Sequence, residues 1–417
     1  MYFYGHMVLL YNTLISVMRI GLRIGALFNP KASAFVTGRR DVFRQIDTAF
    51  GKNESPVVWV HCASLGEFEQ GRPLIEMLKQ EYSDIRILLT FFSPSGYTVR
   101  KNYEHADLVC YLPWDTLRNA RRLVTTVNPS IAIFVKYEFW FHYVSVLSAK
   151  HIPIISISTI FRKGQLFFKS YGGFYRGILK MFSFFFVQND ESLRLLKLID
   201  LKNCALTGDT RFDRVYQVVK HGGEIPLARQ FKGEQKLFVI GSCWPEDFEV
   251  LAPFINLSRI KFILAPHEIS EKFISRIEKE LRVKSIRYSN SADQSLDDFQ
   301  VLIIDNVGML SRLYRYGEFA FIGGGFGKGL HNILEAACYG VPIFFGNRNY
   351  KKFQEAVDLI NRGGAFEVSD FADLKSKYEF LNTPESFLLA CEVTKGYVQE
   401  NLGATDKIMK YCRGLLT

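Results

Sequence analysis

The sequence predicts an α/β protein of two doubly wound domains, with the carboxyl ends of their strands facing a cleft. Three observations predict it. Short apolar runs recur along the chain, each separated from the next by a stretch of helical periodicity, as parallel strands covered by helices on both faces require. The pattern restarts after about residue 205. Small-residue loops follow several of the runs, at the strand ends where α/β proteins hold ligands. A chain of 417 residues is long enough for two separate cores.

The elements follow in order. Residues 7–28 are apolar, but only about a dozen residues between His6 and Arg19 are free of charge, short of the ~20 that a spanning helix needs. No basic stretch precedes them and no small-x-small cleavage site follows, which argues against a secretory signal. Arg19 and Arg23 share one helical face, and Ile20, Ile24 and Leu27 lie on another. Residues 1–30 therefore read as an interfacial helix seated on a bilayer, with an ordinary domain-start helix as the alternative. A first domain, 31–215, takes strands at Val57–Cys62, Ile85–Phe91, Leu108–Tyr111, Ile131–Val135, Ile152–Ile157 and Phe182–Val187, and helices over Glu67–Gln80 and after Pro94. A second, 216–384, takes strands at Lys236–Ile240, Lys261–Ala265, Val301–Ile304, Phe319–Ile322 and Pro342–Phe345. Val219–Gly233 is the expected connection near the boundary, and helices within 385–417 are expected to return and brace the first domain.

Composition limits the function. Seven cysteines lie far apart with no C-x-x-C, which excludes a disulfide framework and a zinc knuckle and points to a reducing compartment. The eight histidines form no metal-ligand spacing, and no G-x-S-x-G elbow is present. The net charge of +10 sits almost wholly in the front half: residues 1–200 hold 24 Lys and Arg against 15 Asp and Glu, the remainder 28 against 27. That half attracts an acidic partner. Abundant Phe beside the basic residues, as in Phe161-Arg162-Lys163 through Lys180, favours an anionic lipid surface over nucleic acid, for which no recognised module appears. A solvated helix with a buried aromatic face is the other reading of that stretch.

Three loops carry the candidate chemistry. Ala63-Ser64-Leu65-Gly66-Glu67 leads from a strand into a helix whose first turn holds Glu67. A carboxylate there caps the helix and complements its dipole, or serves as a general base for an acceptor hydroxyl; both roles stand at this point. Gly241-Ser242-Cys243-Trp244-Pro245-Glu246 places Ser242 ahead of a proline near a helix start, where free N–H groups either hold a phosphate or are simply capped. Gly323-Gly324-Gly325-Phe326-Gly327-Lys328-Gly329-Leu330-His331-Asn332, followed by an expected helix Ile333–Tyr339 with Glu335 in its first turn, lets backbone approach an anionic ligand closely. It is neither a P-loop nor a strict G-x-G-x-x-G. Glu335 is placed to accept from ribose hydroxyls, and His267 and His331 read as phosphate or sugar contacts.

These segments together resemble the bacterial Kdo (3-deoxy-D-manno-octulosonic acid) transferases. The likeness opens at Asn29-Pro30-Lys31 and Gly38-Arg39-Arg40 and runs through most of the chain. Ser64-Leu65-Gly66-Glu67 is similar to the family's S-x-G-E, and Glu138 and Trp140 fall at the matching places of E-x-E-x-W-P, with Lys136 and Phe141 standing for its first Glu and its Pro. Thr207-Gly208-Asp209-Thr210-Arg211-Phe212-Asp213 resembles T-G-N-x-K-F-D. Gly241-Ser242 matches G-S-T-H up to Cys243 and Trp244, Pro266-His267-Glu268 resembles P-R-H-P-E-R without its arginines, and Asp305-Asn306-Val307-Gly308 resembles D-T-x-G-E with Met309 for Glu. Gly329-Leu330-His331-Asn332-Ile333-Leu334-Glu335 is close to G-G-H-N-P-L-E.

The resemblance implies a GT-B glycosyltransferase that moves Kdo from CMP-Kdo to a lipid A precursor (lipid IVA), with inversion and without metal or other cofactor. It implies Glu67 as catalytic base, with Ser64, Gly66, Glu138 and Arg211 on the acceptor side or offsetting charge. Ser242, His267, Gly325, Gly327, Gly329, His331, Asn332 and Glu335 would hold the donor nucleotide. The implied place is the cytoplasmic face of the bacterial inner membrane. Two other readings remain: a GT-B enzyme using a different nucleotide sugar, and a non-catalytic lipid-binding protein on this scaffold.

Overall fold

The computed structural model describes residues 2–292 and 294–416. The chain forms two units, one of residues up to Arg214 together with the stretch from Gly403, the other Val215–Leu402.

The first unit is built on seven parallel strands: β1 (Val57–Cys62), β2 (Arg86–Phe91), β3 (Leu108–Tyr111), β4 (Ile131–Val135), β5 (Ile154–Thr159), β6 (Phe184–Val187) and β7 (Cys204–Leu206), in the order β3-β2-β1-β4-β5-β6-β7. The period of two divides each strand between two cores. In β1, Val57 and Trp59 join Phe134, Leu123 and Tyr143 on one face, while Val58, Val60 and Cys62 join Leu74, Leu78 and Ile133 on the other. Both faces are covered, so β1 and β4 are buried throughout, which is why they read as apolar runs, interrupted in β1 only by His61. β5 and β6 each start two residues later than expected. Ile152 and Phe182 still pack against the core, but from the turn ahead of each strand.

The second unit repeats the plan with β8 (Leu237–Cys243), β9 (Lys261–Pro266), β10 (Ser285–Arg287), β11 (Val301–Ile303), β12 (Phe319–Ile322), β13 (Ile343–Gly346) and β14 (Ala365–Val368), ordered β10-β11-β9-β8-β12-β13-β14. Phe238 stacks with Phe262, Phe319 and Phe344 at 5.5–5.9 Å between centroids, one from each of four neighbouring strands. Val219–Gly233 is no plain connection: it holds the end of helix Thr210–His221 and the whole of helix Pro226–Lys232.

The two C-terminal helices part company. Helix Pro384–Glu400 stays with the second unit, where Ala390 enters the core and Tyr397 Oη donates to Asp358 at 2.9 Å. Only Ala404–Leu416 returns to the first, burying Ile408, Met409 and Cys412 against β1 and β4. Its start is held by Asp213, which accepts from Gly403 N and Thr405 N at 2.7 Å each and from Thr405 Oγ1 at 2.6 Å. Asp213→Ala leaves those donors without their cap, so the unfolding free energy should fall by about 2 kcal/mol in urea titration. A midpoint unmoved by the substitution would show that the return of the last helix does not depend on this carboxylate.

At the other end, helix Tyr2–Gly25 is continuous, and its stretch Gly5–Gly25 is long and apolar enough to cross a membrane by length and composition. One side is tied to the first unit. Tyr11 Oη donates to Asp115 Oδ2 at 2.5 Å, and His142 Nε2 lies 2.6 Å from Asn12 Oδ1. Asp115 in turn accepts from the N–H groups of His142 and Tyr143, in the first turn of helix Phe141–Ala149. Leu9, Leu10, Leu14, Val17, Ile20 and Ile24 are exposed. In the basic stretch 161–180 the aromatic residues mostly turn inward: Phe161 and Phe174 are buried, Phe167, Phe168 and Tyr175 pack beside them, and Tyr171 alone of this set is well exposed.

Candidate active site

In each sheet the first strand in chain order is flanked by strands that wind away from it in opposite directions, and the loops leaving the strands at such a switch point run apart and open a crevice. In the first unit the point lies between β1 and β4. Their loops carry Ser64–Glu67 and Lys136–Trp140.

Ser64 is the extended residue ahead of helix Leu65–Glu81, with no side-chain cap bond, and the space beside Gly66 is open. The Glu67 carboxylate folds back to accept from the N–H groups of Ala63 and Ser64. Those bonds and Lys136 favour its ionised form, but burial, followed by the nearby charge of Glu138, outweighs them and pushes Glu67 up to about 7. A carboxyl poised there can take a proton from an alcohol at neutral pH.

Glu138 is held firmly. Its Oε2 accepts from Trp140 Nε1 at 2.7 Å and lies 3.1 Å from His61 Nε2. His61 is fully buried, and its Nδ1 sits 2.8 Å from Thr90 Oγ1, which also accepts from Trp59 Nε1 at 2.9 Å. Backbone strain at Lys136, φ 61°, turns the chain sharply ahead of Glu138. Arg211 stands in the first turn of helix Thr210–His221 and pairs with Asp209 at 2.7 Å, and Asp209 also accepts from Gln70 Nε2 at 3.0 Å. The guanidinium is thus already engaged by the residue that replaces the asparagine of the related motif.

In the second unit the switch point falls between β8 and β12. β8 runs three residues further than expected. Ser242 therefore lies inside the strand, at φ 52°, and the next helix starts at Pro245 behind Trp244. This corrects the placing of Ser242 at a helix start. The Gly-rich loop after β12 is pinned by Asp247, whose Oδ2 accepts from Gly324 N at 2.8 Å and from Trp244 N at 2.9 Å. Two glycines here are required. Gly324 has φ 92°, and a Cβ on Gly325 would lie 2.4 Å from Gly346 O. The helix expected over Ile333–Tyr339 is one turn, Leu334–Ala337, because the chain turns left-handed at Gly340, φ 70°. Its dipole offers little to an anion, so any anion binding there falls to the loop N–H groups and side chains. Asn332 Nδ2 donates to Glu335 Oε1 at 3.0 Å.

His267, after β9, and His331 lie face to face at 4.4 Å between centroids, and Trp244 stacks on His267 at 4.2 Å. Burial lowers both histidines. Beside them is a pocket of about 470 Å³ bordered by Trp244, Glu246, Glu268, Lys272, Phe273 and Lys328. Gly325, Gly327, Gly329, His267, His331, Asn332 and Glu335 thus gather at one end of the second sheet, and Ser64, Gly66, Glu67 and Glu138 at one end of the first.

A family model described as 3-deoxy-D-manno-octulosonic-acid transferase (kdotransferase) matches residues 39–214, the strands and loops of the Glu67 group. The 3-deoxy-D-manno-octulosonic acid transferase of Aquifex aeolicus is 28% identical over 333 residues, covering 78% of this chain and 86% of its own. That of Rickettsia felis is 26% identical, over 80% of this chain and 73% of its own. The chain thus resembles the Kdo transferases along most of its length, as a divergent relative. Solved structures share its fold: the UDP-GlcNAc 2-epimerase of Neisseria meningitidis at TM-score 0.60 and 15% identity, covering 85% of this chain and 98% of its own, and MurG of Acinetobacter baumannii at 0.55 and 9%, covering 86% and 99%. The architecture is GT-B, and the relatives point to a glycosyltransferase.

The roles of three residues of this site escaped sequence reasoning. His61 is legible as the one imidazole in the run Val57–Cys62, in the Trp59-Val60-His61 stretch ahead of the S-x-G-E-like segment, but nothing in the sequence says that it meets Glu138. Asp247 sits three residues after the helix cap at Trp244, the place where an acidic residue usually does no more than cap. Trp244 registered only as a departure from the related motif, with nothing in the sequence to say what it touches.

Proposed function

We propose that the chain moves Kdo from CMP-Kdo to a hydroxyl of a lipid A precursor, with inversion and without a metal, at the cytoplasmic face of the inner membrane. The observation that carries this is Glu67: a half-buried carboxyl poised near neutrality, at the switch point of the unit that the Kdo transferase model matches. The acceptor hydroxyl attacks the anomeric carbon while Glu67 takes its proton. The bond from that carbon to the phosphate oxygen breaks, and CMP leaves as the anion. Glu138 fixes the electrostatics of the base. The donor is assigned to the second unit, with the Gly-rich loop and His331 at its charged groups and Glu335 at the ribose. Arg211, tied to Asp209, shapes the acceptor side and is a weaker candidate for offsetting donor charge. The exposed apolar residues of helix Tyr2–Gly25 and the basic excess of the front half suit an anionic membrane surface. Among the described residues no group of His, Cys, Asp and Glu is arranged to hold a metal ion.

The test is to incubate the protein with lipid IVA and CMP-Kdo in EDTA and to weigh the lipid product. Gain of Kdo under these conditions is expected. Transfer that needs added divalent metal would sink the metal-free part. Protection of the protein by UDP rather than CMP would move the donor to another nucleotide sugar.

A further inference from the structure

We propose that Trp244 is a positioning residue for the donor: it holds His331 as the neutral tautomer protonated on Nδ1, so that the imidazole meets the nucleotide sugar as a fixed hydrogen-bond donor. This rests on assigning the donor to the second unit. The argument is one of proton count. An indole N–H can only donate. Trp244 Nε1 lies 2.9 Å from His331 Nε2, so that nitrogen must present its lone pair, and the ring's remaining proton is on Nδ1. An imidazolium has no lone pair to offer, so the contact also selects against the cation. The surroundings agree: burial, then the neighbouring His267, pushes His331 down to about 4.

Trp244 is itself well held. Its backbone N–H is bonded to Asp247, the carboxylate that also pins Gly324, so indole and Gly-rich loop share one anchor. Its ring lies on His267, and the Lys328 ammonium is 4.2 Å from the ring centroid. The charged groups acting on this trio are Asp247 at Trp244, Lys328 at Trp244 and His267, and Glu268 at His267. Positive charge thus comes from Lys328 and directional donation from His331. The ligand chemistry that suits the pair is an oxygen anion, a phosphate or a sugar carboxylate. Trp244 stands where the related motif has histidine, so the device belongs to this chain's branch.

The test uses the full chain with 15N-labelled histidine. In the absence of any ligand, the two-bond proton–nitrogen pattern of His331 at pH 7 should be that of the Nδ1–H tautomer, and Trp244→Phe, which keeps a ring but loses the donor, should show both tautomers. In transfer assays Trp244→Phe should raise the KM for CMP-Kdo about tenfold with kcat nearly unchanged. A His331 that is cationic or protonated on Nε2 in the wild type overturns the proposal. So does a Trp244→Phe protein with an unaltered donor KM. Absence of CMP binding by the wild type would instead remove the donor assignment, and the positioning role with it, while the tautomer measured without ligand would still report the Trp244–His331 contact.

Discussion

Glu67→Gln should slow transfer about a thousandfold while leaving CMP binding and the melting temperature close to wild type. The amide keeps the shape of the side chain and can still accept from Ala63 N, but it cannot take a proton. The pH dependence makes the expectation sharper. Glu67 is raised to about 7 by burial and by Glu138. A base works in its deprotonated form, so kcat/KM in the wild type should climb with pH up to about 7 and level off above it. The residual rate of Glu67→Gln should lack that limb. A variant that keeps a tenth of the activity, or one that keeps the limb, would place the base elsewhere.

Glu138→Gln should act on the same limb in a way no purely structural residue would. Removing the like charge relieves part of the pressure on Glu67, whose carboxyl then ionises more readily. The acid limb should move to lower pH. The maximal rate should nevertheless fall, by roughly 10- to 100-fold, because Trp140 Nε1 and the buried His61 lose their charged partner. The two effects have opposite signs below pH 7 and can be separated by a full pH–rate profile. A limb that stays in place would mean that the two carboxyls do not sense each other in solution.

These expectations depend on contacts that the sequence discloses unevenly. β1, β3, β4 and β12 have the bounds read from their apolar runs, because burial on both faces leaves little room for polar residues, His61 of β1 being the exception. β7, β10 and β14 were not read. Each is three or four residues at a sheet edge, and β7 has no buried residue, so neither length nor hydropathy marks it. Glu67 was legible from its place after a strand. Its pairing with Glu138 was not, since it depends on β1 and β4 being neighbours across two intervening strands, a fact of topology. The Gly-rich loop was legible by composition, yet the helix behind it shrank to one turn, and β8 overran its expected end through a left-handed Ser242 that no propensity favours.

The anchoring of helix Tyr2–Gly25 bears on how this protein can be handled. Trimming an exposed apolar N-terminal helix is the usual route to a soluble enzyme. Here the cut would take Tyr11 and Asn12 away from Asp115 and His142. Asp115 is a buried carboxyl, already pushed up to about 6 by that burial, and it would lose its hydroxyl partner. It caps the helix that begins one residue after Trp140, the indole that grips Glu138. A trimmed enzyme would gain solubility at the expense of its active-site geometry, so detergent, rather than truncation, is the means of keeping the site intact.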